Sequence, residues 1–349
     1  VLNRDERQLL PQLSGELDKK HRLIRADSIH RLNGQVLSSY RFRNILFQKY
    51  LYSSLDHVER VHLHEQVGVV LEGLCSELDE FPDVDLQLAR HFEEAGIKER
   101  AIHYLHLAGD RAISISACSE GIVHLRRGLA LLESLPESRN REEKELEMQL
   151  SIGKAWKYEG PTTAARNAIN RARDLCLKLD RPAQLARTLG ELTILHYVMA
   201  QYDQAKAIAY EALELAEKTK DFVLIVEGHW LLGFQHFCLA EYVKAQEHLE
   251  KVSAFYDPHE HHALLIELRG VDAGLSAMAY DACCLQTMGY PDQALKRSQD
   301  AIALAKSFDH AFTLADVLAF AGCAMNEIRN DGESLKVAAE DLKRLTDDK

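Results

Sequence analysis

The densest group of side chains able to bind a metal ion is the run His259, His261 and His262, with the acidic residues Asp257 and Glu260 beside it. Imidazole nitrogens and carboxylate oxygens are common zinc ligands. Histidines that share a metal on a helix recur at i and i+4, whereas this run offers only an i, i+2 pair. We therefore predict a solvated loop and no metal site here, and keep a metal-dependent enzyme as an alternative.

Nucleotide hydrolysis requires a different pattern, a glycine-rich loop ending in Gly-Lys-Ser or Gly-Lys-Thr, because backbone amides and the lysine must surround the phosphates. The nearest approach is Gly153-Lys154, which is followed by Ala155 inside a helical pattern. The sequence also has no GxSxG turn for a serine nucleophile. We predict no catalytic residue and no cofactor in this chain.

Two stretches repeat one pattern about forty residues apart, HYVMAQYDQAKAIAYEALELAEKT and HFCLAEYVKAQEHLEKVSAFYDP. Aligned on Tyr202 and Tyr242, they match at two pairs of alanines, which we expect where helices cross closely: Ala205 with Ala245, and Ala200 with Ala240. Helix pairs with small residues at such crossings are typical of tetratricopeptide repeats (TPR). The predicted fold is all-α, a TPR-like α–α superhelical solenoid, with an insertion around 258–274.

Composition agrees with a soluble helical protein, since 46% of the 349 residues are hydrophobic and only seven are proline. No run of eighteen uncharged apolar residues occurs, and no basic-then-apolar signal opens the chain. The seven cysteines show no CxxC spacing. We predict a cytoplasmic location, no membrane span and reduced thiols.

Charge separates the front of the chain from the rest. The net charge of −12 argues against a nucleic-acid partner, but residues 1–64 hold eleven Lys and Arg against seven Asp and Glu. In this front part a helical stretch precedes two β-prone segments, Leu23 to Arg25 and Val36 to Phe42, around the turn Asn33-Gly34, and helical spacing then resumes. We predict a winged-helix-like module over 1–80 and repeats over 81–349, with a charged connector over 138–145.

Residues of this front module resemble a known family, the bacterial STAND-type, AAA-related P-loop ATPases. The similarity lies in YRFRNILFQ at 40–48 and YSSL at 52–55, beside the family's YRFRHxLxQ and YxSL, and in repeat-like segments such as LARHFEEAGIKERAIHYLHLAGDRA and MGYPDQALKRSQDAIALA. The resemblance implies a winged helix followed by TPR-like repeats, in proteins that often carry a class III adenylate or guanylate cyclase or a protein kinase. It also places the ATPase domain before Val1.

Asn44 departs from that family, which usually has a histidine after YRFR. In the broader class this histidine contacts the phosphate of the bound nucleotide, so the resemblance leaves nucleotide sensing at this position in doubt. The other interpretation is local, because asparagine is a favoured residue at the start of a helix.

One helical segment, Val223 to Ala240, is apolar on two sides. The first side carries His229, Leu232, Gly233, His236 and Ala240, and we expect it to meet the paired helix. The second side carries Trp230, Phe234, Phe237 and Cys238, with Tyr197 beside it, and we predict that these five residues line a protein-binding groove. The alternative is that the aromatic residues pack on neighbouring repeats.

The sequence therefore predicts a non-catalytic regulatory fragment that acts as a sensor or scaffold. Its partner would be a protein or peptide, or the ATPase domain of the parent protein. A DNA-binding transcriptional regulator is the alternative, with basic residues of the front module facing phosphates: Lys19, Lys20, Arg22, Arg41 and Arg43. The oligomeric state does not follow from the sequence.

Overall fold

The structure is a computed structural model that describes residues 6–32, 35–75, 84–155, 160 and 162–347. The chain divides into two compact units, Val1–Pro136 and Glu137–Lys349. Both units consist mainly of helices, and the strands that the structure describes form a single two-stranded sheet in the first unit.

The first unit begins with a helix, a hairpin and further helices, in the predicted order. Its elements are α1 (Glu6–Pro11, continued by the π-helix Gln12–Lys20), β1 (Ile24–Leu32), β2 (Gln35–Phe42), α2 (Ile45–Ser54), α3 (His57–Cys75), α4 (Val84–Glu94), α5 (Lys98–Ser114) and α6 (Cys118–Glu133). The strands pair antiparallel, with Ile24 opposite Phe42. The strands are observed, whereas the turn Asn33-Gly34 lies outside the described residues.

Asn44 is the N-cap of α2. Its backbone is extended (φ −132°), and its side-chain oxygen accepts a hydrogen bond from the backbone N–H of Leu46 at 2.8 Å. An asparagine at this position satisfies one of the free amides in the first helical turn. The local interpretation of Asn44 is confirmed.

The predicted module boundary at residue 80 falls in the segment 76–83, which the structure does not describe. On either side of it, α3 and α4 pack together. A Cβ atom on Gly68 of α3 would lie 2.9 Å from the Phe92 ring of α4, and Phe92 is fully buried and stacks on Tyr104 of α5. The division into 1–80 and 81–349 remains a prediction.

The second unit is a series of antiparallel helix hairpins. Its elements are α7 (Arg139–Lys154), α8 (Thr163–Lys178), α9 (Pro182–Val198), α10 (Tyr202–Thr219), α11 (Phe222–Cys238), α12 (Tyr242–Phe255), α13 (Pro258–Arg269), α14 (Ala273–Thr287), α15 (Pro291–Ser307), α16 (Ala311–Val317), the π-helix Leu318–Ala324, α17 (Met325–Ile328) and α18 (Gly332–Asp347). The first helices of successive hairpins, α9, α11, α14 and the π-helix, lie side by side. We call them the first-helix layer.

The predicted charged connector over 138–145 is wrong. Ser138 caps α7, and the helix begins at Arg139. Its charged side chains do not prevent helix formation because they pair with the next helix: Glu145 bonds Arg171 at 2.7 Å, and Glu142 bonds Lys178 at 2.5 Å.

Two of the four aligned alanines lie at helix crossings, as predicted. Ala205 and Ala245 have no exposed surface. At the second crossing, a Cβ atom on Gly233 of α11 would lie 2.6 Å from a methyl group of Leu249 and 3.5 Å from the carbonyl oxygen of Ala245. Small residues therefore set the close approach of α11 and α12.

The other pair, Ala200 and Ala240, lies in turns, so its predicted place at a crossing is wrong. Both residues have φ near +58°. In each turn the next backbone N–H bonds a carbonyl five residues back, Gln201 to His196 and Glu241 to His236, both at 2.9 Å. This bond ends the first helix of the hairpin and requires a left-handed residue, which alanine adopts only with strain.

Replacing Ala200 and Ala240 together by glycine is expected to stabilise the protein by about 1 kcal/mol. Glycine adopts positive φ without the steric strain that a Cβ atom causes. The free energy gained by relieving this strain exceeds the cost of the larger conformational entropy that glycine loses on folding. Urea denaturation of both proteins measures the difference. The control is Ala245→Gly, where φ is helical and the side chain is buried, and it should lose about 1 kcal/mol. Equal losses in the two variants would contradict the turn geometry.

The continuous helical run Ala311–Ile328 is the one described segment with the length and hydropathy of a membrane span. It packs against α14, α15 and α18, and Val317, Leu318, Ala321 and Met325 are buried. One side of this run is therefore part of the core of the second unit. The thiols of six described cysteines are not paired in disulfides: Cys118, Cys176, Cys238, Cys283, Cys284 and Cys323.

Candidate functional site

Helix α11 is apolar on two sides because neighbouring helices cover both. On the first side, the rings of His229 and His236 contact His248 of α12, and Gly233 meets Leu249. This agrees with the predicted contact between the first side and the paired helix. Ala240 is not part of that side, since α11 ends at Cys238.

The second side of α11 joins a continuous row of aromatic rings in the first-helix layer. Phe234 contacts Tyr197 of α9 at 4.6 Å between ring centroids and Tyr280 of α14 at 5.5 Å. Tyr280 also contacts Phe237 at 5.2 Å and Phe320 of the π-helix at 4.3 Å. We call this surface the aromatic face, formed by Tyr197, Phe234, Phe237, Cys238 and Phe320. Tyr280 is only 3% exposed and belongs to the core, and its ring connects Phe234 and Phe237 to Phe320.

The five residues of the predicted groove differ in exposure. Trp230 is only 6% exposed and belongs to the hydrophobic core, so we remove it from the surface. Arg269 of α13 covers its ring at 5.2 Å. Phe234 and Phe237 pack against the core and remain partly exposed, as does Tyr197, while Cys238 is exposed. The aromatic residues therefore pack on neighbouring repeats, as in the alternative, and keep a partly exposed edge. The protein-binding groove remains a prediction.

Cys238 is not set up as a nucleophile. Its Sγ atom donates a hydrogen bond to the hydroxyl oxygen of Tyr197 at 3.4 Å. Although Cys238 is exposed as a residue, the groups around its sulfur atom partly desolvate it and raise the pKa of the thiol. The thiol therefore stays protonated at neutral pH, and only the thiolate is reactive. The pair instead connects α9 to α11 at the end of the aromatic face.

The sequence prediction missed Phe320, a member of this surface, and Tyr280, the buried ring that connects Phe320 to α11. Both come from later repeats, and the insertion before α14 breaks the forty-residue spacing that links Tyr197 to Phe237. A pattern search within one repeat could not place them beside α11. Recurrence of an aromatic residue in successive first helices was the available signal.

The histidine run lies on helix α13, so the predicted solvated loop is wrong. Asp257 caps the helix, Pro258 opens it and Gly270 ends it with φ +87°. His262 bonds the Asp272 carboxylate through Nδ1 at 2.6 Å and stacks on Phe308 at 4.0 Å. This histidine is an anchor of the helix.

The other two histidines of the run are placed differently. His261 accepts a hydrogen bond from the backbone N–H of Asp257 at 3.0 Å, and His259 is exposed. Among the described residues, no group of three or more His, Cys, Asp or Glu side chains is arranged to hold a metal ion. The metal-dependent alternative therefore gains no support from this segment.

Asp272 organises the junction between α13 and α14. One of its carboxylate oxygens accepts from the backbone N–H groups of Gly274 and Leu275, and the other accepts from the hydroxyl of Tyr256 at 2.5 Å and from His262. The residue is completely buried. This network holds the anchor that His262 provides near the start of α13.

A separate histidine cluster lies between α10, α11 and α12. The Nδ1 atoms of His229 and His248 are 3.0 Å apart, so one ring must donate a proton that the other accepts. His236 stacks on His248, and its Nδ1 bonds Glu241 at 2.5 Å. Burial lowers the pKa of both His229 and His248 to about 4, and the neighbouring histidines and Lys251 act in the same direction on His248.

Acidification is expected to destabilise the protein through this pair. The unfolded chain takes up protons near pH 6.5, whereas the folded chain takes them up near pH 4, so stability present above pH 6.5 is lost as the pH falls toward 4. Both rings retain some contact with solvent, so we expect a loss on the order of 2 kcal/mol in total.

Urea denaturation at pH 7.0 and pH 4.5 measures most of this loss, because the first pH lies above the expected range and the second lies near its lower end. His248→Gln keeps a hydrogen-bonding side chain without the titration and should flatten the pH dependence. His259→Gln on the exposed surface should not. Identical pH profiles for the parent and His248→Gln would contradict the assignment.

No protein-family model and no curated protein matches this chain. Solved structures do, at low sequence identity. The apo form of RapI matches 86% of this chain and 79% of its own length, with TM-score 0.62 and 11% identity. Aspartyl phosphate phosphatase F from Bacillus subtilis matches 85% and 76%, with TM-score 0.58 and 14% identity.

A further similar structure is the signal transduction ATPase with numerous domains (STAND) protein with a tetratricopeptide repeat sensor from Pyrococcus horikoshii. It matches 78% of this chain with TM-score 0.55 and 16% identity, and the chain spans 44% of its length. At these identities the similarity concerns the fold. The protein is an all-α, TPR-like α–α solenoid preceded by a small β-hairpin.

Proposed function

We propose that this chain is a non-catalytic, cytoplasmic protein-interaction part of a larger signalling ATPase, in which the TPR-like unit is the sensor. The observation that carries the proposal is the aromatic face. Rings from successive repeats form one partly exposed row, and aromatic side chains are common anchors at protein interfaces.

The partner of the aromatic face is a protein or peptide. Phe234 and Phe237 are held by the rings around them, so binding would not require them to be ordered first. The STAND protein of similar fold carries a TPR sensor, which supports the same role here.

A second surface supports attachment to a parent domain. Helix α2 has no buried residue, and it exposes a run of large apolar side chains: Ile45, Leu46, Phe47, Tyr50 and Leu51. Leu46 is 68% exposed and Tyr50 is 70% exposed. A soluble protein seldom leaves such a cluster uncovered. We propose that the ATPase domain of the parent protein docks on α2.

DNA binding is the weaker hypothesis. Arg41 bonds the Asp27 carboxylate at 3.1 Å, and Arg43 bonds Asp18 at 2.7 Å. Arg41 and Arg43 are thus paired with carboxylates of the same module, which reduces the positive potential that these two residues offer to phosphates.

The test begins with the gene. The reading frame containing this chain should encode a GxxxxGK[ST] loop, and its product should hydrolyse ATP. In that full-length protein, Cys238→Arg places a long cation at the exposed edge of the aromatic face and should change the hydrolysis rate by at least about five-fold. This change measures coupling between the face and the ATPase.

The matched control is Val243→Arg, which adds the same charge at a 65% exposed position of α12 and should leave the rate unchanged. A reading frame without a phosphate loop would refute the ATPase part of the proposal. Equal rates for Cys238→Arg, Val243→Arg and the parent would refute the sensing role of the aromatic face.

A further inference from the structure

Helix α13 is an extra element between two hairpins, and it is held chiefly at its ends. Leu265 is its one fully buried residue among those that the structure describes. At the start of the helix His262 bonds Asp272, and at its end Arg269 reaches α11. Leu268 packs nearby against Ala186 and Leu224. The helix thus bridges the first-helix layer from α9 to α14.

The end anchor is a buried ion pair. Arg269 donates from Nε to Oε1 of Glu227 at 2.6 Å and from Nη2 to the same oxygen. Both side chains are less than 10% exposed. The guanidinium also lies over the ring of Trp230. A carboxylate and an aromatic face are the two groups that bind a planar guanidinium best.

A second carboxylate acts on the same guanidinium. The charge of Glu191 on α9 favours the protonated form of Arg269 and so raises its pKa, against the lowering of that pKa by burial. Room for the cation comes from Gly190, where a Cβ atom would lie 3.2 Å from Nη2 of Arg269 and 3.4 Å from Oε1 of Glu227. Local sequence signals cannot reveal this arrangement, because Arg269 is forty-two residues from Glu227.

Two polar atoms of the site have no partner among the described residues. The Nε1 atom of Trp230 and the Oε2 atom of Glu227 are both buried and make no hydrogen bond there. Buried polar atoms usually have hydrogen-bond partners, and an unpaired one is unfavourable because it has lost its contact with water. A donor and an acceptor are thus available to a ligand beyond what Arg269 uses.

The site is continuous with the aromatic face. The ring of Trp230 stacks on Phe234 at 5.6 Å, with the planes 9° apart. Arg269, Trp230, Phe234 and Tyr197 therefore form one row of contacts from α13 to α9, in which Phe234 stacks on Trp230 and meets Tyr197 edge to face. A ligand bound on the aromatic face would therefore lie beside the guanidinium site.

We propose that Glu191, Glu227 and Trp230 form a guanidinium-binding site, that Arg269 occupies it as an internal ligand, and that a peptide partner presents an arginine side chain in exchange. The exchange with an arginine of a peptide partner rests on the proposed function, whereas the guanidinium-binding site itself does not. Helix α13 carries its own N-cap at Asp257 and its own end at Gly270, so its helical form does not depend on the Arg269–Glu227 pair.

The first test replaces the internal ligand. Trp156→Phe leaves Trp230 as the single tryptophan, because the sequence has two. In Trp156→Phe/Arg269→Ala, N-ethylguanidinium should change the Trp230 fluorescence saturably and raise Tm, at least about ten-fold more effectively than ethylammonium at equal ionic strength. Adding Glu227→Gln should abolish the response. No saturable response, or equal responses to the two cations, would overturn the site.

Should Arg269→Ala fail to fold, Arg269→Lys keeps a positive charge without the planar fork and undergoes the same titration. Gly190→Ala in either background serves as a steric control, since its Cβ atom would occupy space beside the guanidinium. It should weaken the guanidinium response and leave any non-specific ion effect unchanged. An undiminished response would place the cation elsewhere.

The second test concerns the exchange. Acetyl-Gly-Arg-Gly-amide should bind the Arg269→Ala protein at least about ten-fold more tightly than the parent, because the internal ligand no longer competes. Acetyl-Gly-Lys-Gly-amide should not discriminate between them. Equal affinity of the arginine peptide for both proteins would overturn the role of Arg269 as an internal ligand. Neither test involves ATP hydrolysis. The proposed function can therefore be refuted while the guanidinium site is supported, and the guanidinium site can be refuted while the proposed function is supported.

Discussion

Ala245→Glu is expected to destabilise the protein by about 4 kcal/mol or more. Ala245 has no exposed surface and lies at the crossing of α11 and α12. The helices are so close there that a Cβ atom on Gly233 would lie 3.5 Å from the carbonyl oxygen of Ala245. A glutamate side chain there must either force the helices apart or bury a charge without a partner, and each costs several kcal/mol.

Urea or thermal denaturation gives the loss directly. Val243→Glu is the matched control on the same helix, because Val243 is exposed and the change should stay within about 0.5 kcal/mol. If Ala245→Glu unfolds at the same denaturant concentration as Val243→Glu, the assigned helix crossing is incorrect.

Asp272→Ala is the second change with a large expected effect, a loss of about 3–5 kcal/mol. The substitution removes the acceptor of four hydrogen bonds, those from the hydroxyl of Tyr256, the Nδ1 atom of His262 and two backbone N–H groups of α14. The Asp272 carboxylate that accepts them is fully buried. Losing the partner of a buried hydrogen-bonding group costs more than the bond itself contributes.

Asp257→Ala isolates the capping contribution. Asp257 caps α13 through the backbone N–H groups of His259 and Glu260, just as Asp272 caps α14, but Asp257 is exposed. Its removal should cost about 1 kcal/mol. A loss for Asp272→Ala no larger than that of Asp257→Ala would show that the network with Tyr256 and His262 contributes nothing.

The two anchors of α13 differ in what they are expected to do. The Asp272 network satisfies every group that it brings together in the described structure, which is typical of a structural junction. The Arg269 anchor leaves Nε1 of Trp230 and Oε2 of Glu227 unpaired. We therefore assign stability to the first anchor and ligand exchange to the second.

The features that the sequence predicted correctly depend on residues close together in the chain. Helical spacing and the matching of Tyr202 with Tyr242 identified successive hairpins, and both tyrosines begin the second helix of a hairpin. Asn44 was recognisable as a cap because its acceptor role involves an amide two residues away. Such short-range interactions are encoded in a few neighbouring residues.

Two predictions were wrong although the local sequence carried the correct signals. The segment from Asp257 to Gly270 has an N-cap, a proline at the first turn and a terminal glycine, yet its histidines suggested a solvated loop. Ala200 and Ala240 were taken as packing residues because they recur with the repeat. Their recurrence instead reflects the turn, where a positive φ ends the first helix.

The aromatic face and the guanidinium site were decided by the tertiary structure. Periodicity shows that α11 is apolar on two sides, but not which neighbour covers each side, because Tyr280, Phe320 and Arg269 come from later parts of the chain. The sequence thus determined the repeating hairpins through local spacing. Packing between repeats alone decided that Trp230 is core, that Phe234 is partly exposed, and that a buried arginine meets Glu227.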